Sequence, residues 1–120
     1  MDETTLKALD DSIKHWEENV KARTPSDADV WSSGCALCTI FYAKKDECDG
    51  CPVKAVSGED NCRNTPWDYA RNALTGWRNV RALHESNIAT QKDVADAKRR
   101  WVEAATAELN FLKAIRPIGV

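Results

Sequence analysis

The stretch Cys35-Ala-Leu-Cys38 is followed, after a spacer of nine residues, by Cys48-Asp-Gly-Cys51-Pro52. Two Cys-x-x-Cys pairs this close together present four thiolates to one tetrahedral metal ion, most often zinc. Gly50 gives the second pair the backbone freedom that a tight turn between two ligands needs. The sequence therefore predicts a cysteine-rich segment over residues 31–63 that binds zinc through four ligands: Cys35, Cys38, Cys48 and Cys51.

A fifth cysteine, Cys62, leaves two alternatives open for the ligand set. Cys62 is either a spare buried thiol or a substitute for one of the other four ligands. In addition, a Cys-Pro pair such as Cys51-Pro52 closes many iron–sulfur ligand sets, so a 4Fe-4S cluster is the alternative cofactor. Iron–sulfur spacing usually places three cysteines close together, whereas these come in twos. Zinc is therefore the preferred prediction.

The same ligand set argues against catalysis at the metal. Four thiolates complete the coordination sphere of zinc and leave no position for water or substrate. The sequence also has no glycine-rich phosphate loop, no nucleophile elbow and no His-Glu-x-x-His pattern. We therefore predict that the protein is not an enzyme.

Length, charge and cysteine usage narrow the class of protein further. The chain has 120 residues, which suits a single domain over residues 1–120. Its formal net charge is −2, so bulk attraction to nucleic acid is only weakly supported. We also expect no membrane span, because the sequence has no apolar run of the required length. A reducing, cytoplasmic location is favoured by the odd number of cysteines, by their spacing in Cys-x-x-Cys pairs and by the lack of a signal peptide.

Three segments carry the periodicity of long helices. From Asp2 to about Lys21, apolar residues recur in alternating steps of three and four, namely Leu6, Leu9, Ile13, Trp16 and Val20. Thr65-Pro66-Trp67-Asp68 is a strong helix start, and the helix that follows it should run to about Glu85. After a turn at 86–90, the last helix should run to about Ile115, because Pro117 then stops it.

These segments predict a mainly α fold with three long helices. The N-terminal helix occupies residues 1–22, the zinc-binding cysteine-rich insert residues 31–63, and an antiparallel helical hairpin residues 66–116. A short helix within the insert should begin at Pro52 and close at Gly58. The apolar arc of the last helix is broad, so we expect that helix to contact two neighbours.

Two histidines and a row of arginines are further candidate functional residues. His15 is predicted to be exposed on the first helix, and His84 to be a hydrogen-bonded packing residue rather than a ligand. Arg71, Arg78 and Arg81 lie along one side of the second long helix. One interpretation is that they contact phosphates, but the net negative charge supports it only weakly. The preferred interpretation is that they pair with acidic residues of a neighbouring helix or cover apolar surface with their stems.

The cysteine pattern continues into Gly58, Cys62 and Thr65-Pro66-Trp67, and as a whole it resembles small uncharacterised proteins encoded by bacteriophages. The shared positions are Cys-x-Leu-Cys, Cys-x-x-Cys-Pro, the glycine, the last cysteine and Thr-Pro-aromatic, over about a quarter of the chain. The resemblance implies a phage accessory protein that acts inside a bacterium, against a host system. It implies a setting and no mechanism.

These features lead to one expectation for function and two alternatives. We expect a zinc-stabilised helical domain that acts by binding another macromolecule, a protein in the first instance. The alternatives are a nucleic-acid-binding zinc module and an iron–sulfur protein with a redox or sensing role. The narrow apolar seam of the first helix and the broad arc of the last one also predict a homodimer, or a tight partner complex, through these two helices.

Overall fold

A computed structural model describes residues 1–30, 36–37, 41, 50–58, 62 and 64–118. Within these ranges the chain is mainly helical and contains no strand. Helix α1 spans Glu3–Val20, α2 Pro52–Ser57, α3 Pro66–Glu85 and α4 Gln91–Ile115, and a 3-10 turn covers Pro25–Asp27. The predicted mainly α fold with three long helices is therefore confirmed.

Local hydrogen bonds explain where the long helices begin. The carboxylate of Asp2 accepts the backbone N–H of Thr5 at 2.7 Å and so caps α1. At the start of α4, Thr90 and Asp93 form a reciprocal capping box. Helix α3 begins at Pro66, whose fixed φ suits the first helical position.

The turn between α3 and α4 contains a residue in the left-handed backbone conformation. Asn87 has φ +61°, and the N–H of Ile88 donates to the carbonyl of Leu83 at 2.9 Å. This pattern satisfies carbonyls that a helix end otherwise leaves without partners. Because the connection is so short, α3 and α4 pack as an antiparallel hairpin, as the sequence predicted.

Three tryptophans, one from each long helix, form the centre of the core. The ring of Trp101 in α4 lies 6.1 Å from that of Trp16 in α1 and 6.4 Å from that of Trp77 in α3, between centroids. All three are buried, and aromatic rings at such distances add stabilisation beyond that of the area they bury. Among the described residues, the other large buried apolar side chains are Leu9, Ile13, Val30, Leu37, Phe41, Val53, Leu74 and Leu112.

Helix α1 lies antiparallel to α4. Arg116 near the end of α4 pairs with Asp10, whereas Trp101, fifteen residues earlier, donates its indole N–H to the carbonyl of Asn19 at 3.1 Å. Helix α4 also contacts α2 and α3. As expected, the last helix packs against two long neighbours, α1 and α3, and in addition it contacts the short helix α2.

The buried face of α1 differs from the predicted apolar seam. Leu9, Ile13 and Trp16 are buried as expected, but Leu6 and Val20 are only half-buried. The remaining buried positions are Thr5, Ala8, Ser12 and Asn19. An apolar pattern alone misses these positions, because polar side chains are buried wherever the tertiary structure supplies hydrogen-bond partners.

The segment that follows α1 runs back along α3. The indole N–H of Trp67, near the start of α3, donates to the carbonyl of Val30 at 2.8 Å. At the other end of the segment, Pro25 is buried and lies beside Arg78, Arg81 and Ala82 of α3. Among the described helices, none is long and apolar enough to cross a bilayer.

Candidate functional site

The described residues include two of the five cysteines, Cys51 and Cys62. The other predicted ligands, Cys35, Cys38 and Cys48, lie outside the described residues. Within the described part of the chain, no group of three or more potential metal ligands occurs. With three of the four predicted ligands outside that part, the predicted zinc site stays a prediction.

Cys51 stands at the junction between the second cysteine pair and the helical core. It is the N-cap residue of α2, is buried, and belongs to the same apolar cluster as the tryptophans. Gly50, just before it, has φ +83°, and a Cβ at this glycine would lie 3.2 Å from Cε1 of Phe41. Both the left-handed backbone and the close ring favour glycine here, in line with the backbone freedom expected of it.

Cys62 joins the cysteine-rich segment to α3. It is partly buried against the core and has φ +59°, which is unusual for a residue other than glycine. Thr65 is the N-cap residue of α3, but its hydroxyl donates to the carbonyl of Cys62 at 2.5 Å and makes no capping hydrogen bond. The start of α3 is therefore fastened to the last cysteine rather than to its own first turn.

The two histidines serve the structure through backbone carbonyls. His15 is half-buried, not exposed as predicted, and its Nε2 lies 2.7 Å from the carbonyl oxygen of Asp29. The expectation failed because the returning segment 22–30 covers that side of α1. His84 is hydrogen-bonded as predicted, since its Nδ1 lies 3.0 Å from the carbonyl oxygen of Ala89. A carbonyl only accepts, so each of these ring nitrogens carries the proton.

Arg71, the first arginine of the α3 row, is held within its own helix. Its Nη2 lies 3.1 Å from Oδ1 of Asp68, and its guanidinium stands 5.6 Å from the ring centre of Trp67. Ion pairing and a cation–π contact both restrain the side chain. Arg71 therefore covers Trp67 and is not free to bind a phosphate without breaking these contacts.

Arg78 and Arg81 differ from Arg71, because neither forms an ion pair in the described part of the chain. Together they line a shallow surface groove of about 400 Å³ whose other lining residues are Pro25, Ser26, Ala82 and Glu85. Glu85 follows Arg81 by four residues on α3, but its carboxylate pairs with neither arginine. The groove thus contains two guanidinium groups that remain available to an anion.

The wall of this groove opposite α3 is the 3-10 turn Pro25–Asp27. Its geometry is held by Asp27, whose Oδ2 accepts the backbone N–H groups of Arg23 and Thr24 at 3.3 Å each. The hydroxyls of Thr24 and Ser26 lie 2.9 Å apart and form a further hydrogen bond. In the described part of the chain, Asp27 forms no ion pair with Arg78 or Arg81, the two arginines across the groove.

Sequence reasoning missed this wall and also missed Asn19. A signal for the turn was present, because a threonine, Thr24, stands three residues before an acidic residue, Asp27, as in a capping box. Asn19 carries no such signal, because its partners come from other elements. Glu108 was likewise not expected, although it is buried among the apolar residues of α4.

No protein-family model, curated protein or solved structure matches the chain.

Proposed function

We propose that the protein is a non-enzymatic, zinc-stabilised helical domain that acts by binding a partner protein. The zinc ion is held by Cys35, Cys38, Cys48 and Cys51, with Cys62 as the alternative ligand. The setting that fits the cysteine pattern is that of a phage accessory protein in the cytoplasm of a bacterial host, acting against a host system.

The observation that carries the metal part of the proposal is the pairing of the cysteines in the sequence. Its support within the described residues comes from the second pair. Gly50 adopts the left-handed conformation of a tight turn, and Cys51 is buried at the start of α2. A metal bound there ties the cysteine-rich segment to the helices and stabilises a domain with a modest core.

The binding part of the proposal rests on how the helices fill their own interior. Trp16, Trp77 and Trp101 occupy the space where the three long helices meet. Helical bundles that hold a substrate or cofactor usually do so in this central space. The groups left for recognition therefore lie on the outer surface, and the groove at Arg78 and Arg81 is one such place.

Metal analysis of two cysteine variants tests the ligand set. We expect one zinc per chain in wild-type protein purified without chelator, and zinc–sulfur distances of about 2.3 Å by X-ray absorption. Cys48→Ser should abolish zinc binding, whereas Cys62→Ser should leave the zinc content unchanged. Metal-free wild-type protein would contradict the proposal, and zinc loss in the Cys62→Ser variant would require a different set of four ligands.

The iron–sulfur alternative is favoured by one observation, which is that Cys51 directly precedes Pro52 at the first position of α2. Protein purified without oxygen distinguishes the two cofactors. A zinc protein is colourless, whereas a 4Fe-4S cluster absorbs visible light and is bleached on reduction. Iron and sulfide in the purified protein, together with this absorption, would replace zinc by the cluster.

Partner binding is tested in the bacterial host by cross-linking followed by mass spectrometry. The proposal predicts one predominant host protein cross-linked to surface positions of this chain, and reconstitution of that complex from the two purified proteins. A complex that forms only in the presence of DNA or RNA would instead support the nucleic-acid-binding module. Absence of any reconstituted protein complex would contradict the proposed function.

A further inference from the structure

We infer that the groove between the Pro25–Asp27 turn and the end of α3 binds an acidic segment of a protein, with Arg78 and Arg81 receiving its carboxylates. This inference rests on the proposed function, because it names the surface and the chemistry by which the partner is recognised. The groove is formed by residues more than fifty positions apart in the sequence.

The first argument is the charge of the groove. Arg78 and Arg81 are separated by three positions on α3, so their side chains leave the helix on neighbouring positions of one face. Other cations of the described chain, such as Arg71, Lys92 and Arg99, are paired with a carboxylate three or four residues away. Among the described residues the two groove arginines have no such partner, and a guanidinium fork binds a carboxylate through two parallel hydrogen bonds.

The second argument is that the opposite wall is already fixed. Asp27 holds the turn through two backbone N–H groups, and Pro25 is buried against the protein. A ligand that enters the groove therefore does not have to order this wall. A preorganised wall lowers the entropic cost of binding.

The third argument distinguishes an acidic protein segment from nucleic acid. The charged strip is short: it consists of two arginines, and Glu85 at its end would repel any further anion, so it offers no continuous track for a nucleic-acid backbone. Ala82, which is exposed, places apolar surface next to the two arginines. Carboxylates beside apolar contacts match the side chains of a peptide better than a continuous row of phosphates.

Binding of a fluorescent peptide rich in glutamate and aspartate tests the inference, with the same peptide in its glutamine and asparagine form as the neutral control. We expect the wild-type protein to bind the acidic peptide and not the neutral one, and binding to weaken as salt is raised. R78Q/R81Q should weaken binding at least ~10-fold, since each tenfold loss corresponds to about 1.4 kcal/mol.

K14Q/K113Q is the matched control variant. Lys14 of α1 and Lys113 of α4 are exposed, form no ion pair in the described structure, and carry the same total charge as the two arginines. We expect this variant to bind the acidic peptide as the wild type does. R78E/R81E should lose the acidic peptide and instead bind a lysine-rich one. Unchanged thermal melting of each variant confirms that its fold is intact.

Three results would overturn the inference. They are an equal loss of binding in R78Q/R81Q and K14Q/K113Q, no binding of the acidic peptide by the wild type, and tighter binding of a single-stranded oligonucleotide that depends on the same arginines. Failure of the groove and failure of the proposed function are distinguishable. If R78Q/R81Q binds the reconstituted partner as the wild type does, the groove is wrong and the proposed function stands.

Discussion

Asn19 connects three parts of the molecule. Its side-chain amide donates to the carbonyl of Asp29 at 2.9 Å, its side-chain oxygen accepts the N–H of Asp29 at 3.1 Å, and its own carbonyl accepts the indole N–H of Trp101. The side-chain amide of Asn19 thus both donates to and accepts from the backbone of Asp29, as the backbone of a neighbouring β-strand would. Asn19 therefore holds the returning segment against α1 and α4.

Replacing Asn19 by alanine should lower the free energy of unfolding by about 2 kcal/mol. The variant loses two part-buried hydrogen bonds to Asp29 and leaves a small void, since Asn19 is only 2% exposed. Asn72→Ala is the control, because Asn72 is exposed on α3, and it should change stability by less than about 0.5 kcal/mol. Denaturant unfolding measures both, and similar stability changes would show that the Asn19 hydrogen bonds are not important.

Trp77 and Trp101 differ in the hydrogen bonding of their indole N–H groups. The indole N–H of Trp101 donates to Asn19, whereas that of Trp77 is buried and has no acceptor in the described part of the chain. A buried N–H without a partner costs about 1–3 kcal/mol, and replacement by phenylalanine removes that cost. Trp101→Phe should therefore destabilise the protein more than Trp77→Phe does. Equal effects in denaturant unfolding would contradict this account of the two N–H groups.

At the scale of elements, an ion pair joins the middle of α1 to the end of α4. Arg116 donates from Nε to Oδ1 of Asp10 at 2.7 Å and from Nη2 to Oδ2 at 3.3 Å. This hydrogen bonding by Arg116 lowers the pKa of the Asp10 carboxyl below its ordinary value. The two residues are far apart in the sequence, so the pair fixes how α1 and α4 are aligned.

The lowered pKa predicts how the contribution of this pair depends on pH. The carboxyl is harder to protonate in the folded state, so the pair stabilises the fold above the unfolded-state pKa of Asp10 and ceases to do so as pH falls through the lower folded-state value. Asp10→Asn should thus be less stable than wild type at neutral pH and equal to it in strong acid. Melting temperatures of both proteins across acidic pH measure this difference, and a constant difference would contradict the assignment.

At the scale of the whole molecule, the helical core has its own apolar contacts, independent of any metal. The three tryptophans meet between α1, α3 and α4, none of which lies in the cysteine-rich segment. Chelation of the proposed zinc should therefore leave most of the far-UV helical signal, while amide exchange in residues 50–58 becomes faster. Complete loss of helical signal on chelation would show that the metal is needed for the entire fold.

The assembly of the protein also belongs to this scale. The apolar seam of α1 suggested a homodimer or partner complex, but Leu9, Ile13 and Trp16 are already buried within a single chain. A second copy would therefore have to use other surfaces. Trp16→Ala should lower stability by about 3–5 kcal/mol through the cavity it leaves, with no change in sedimentation.

The matched control for Trp16→Ala is Val56→Ala, because Val56 is 60% exposed and its truncation leaves no cavity. This variant should match the wild type in both stability and sedimentation. If the wild type sediments as a dimer and Trp16→Ala dissociates it without loss of stability, the seam of α1 is an interface between two chains.

The sequence alone determined the helices and their ends. Pro66, Thr90 and Asp93 define where α3 and α4 begin, and Pro52 and Gly58 bound α2, because capping and proline geometry depend only on nearby residues. The broad apolar arc of α4 was also predicted from its period. The zinc hypothesis likewise rests on the spacing of the cysteine pairs, which is read directly from the sequence.

Only the tertiary structure decided which polar residues of α1 are buried and where a groove forms. Thr5, Ser12 and Asn19 are polar, and a polar side chain is buried only where the fold brings it hydrogen-bond partners, as Asp29 does for Asn19. The groove exists because the Pro25–Asp27 turn packs beside residues 78–85 of α3, which follow it by more than fifty positions in the chain. A local sequence pattern cannot predict this contact, because its energy depends on residues of both segments, which are far apart in the chain.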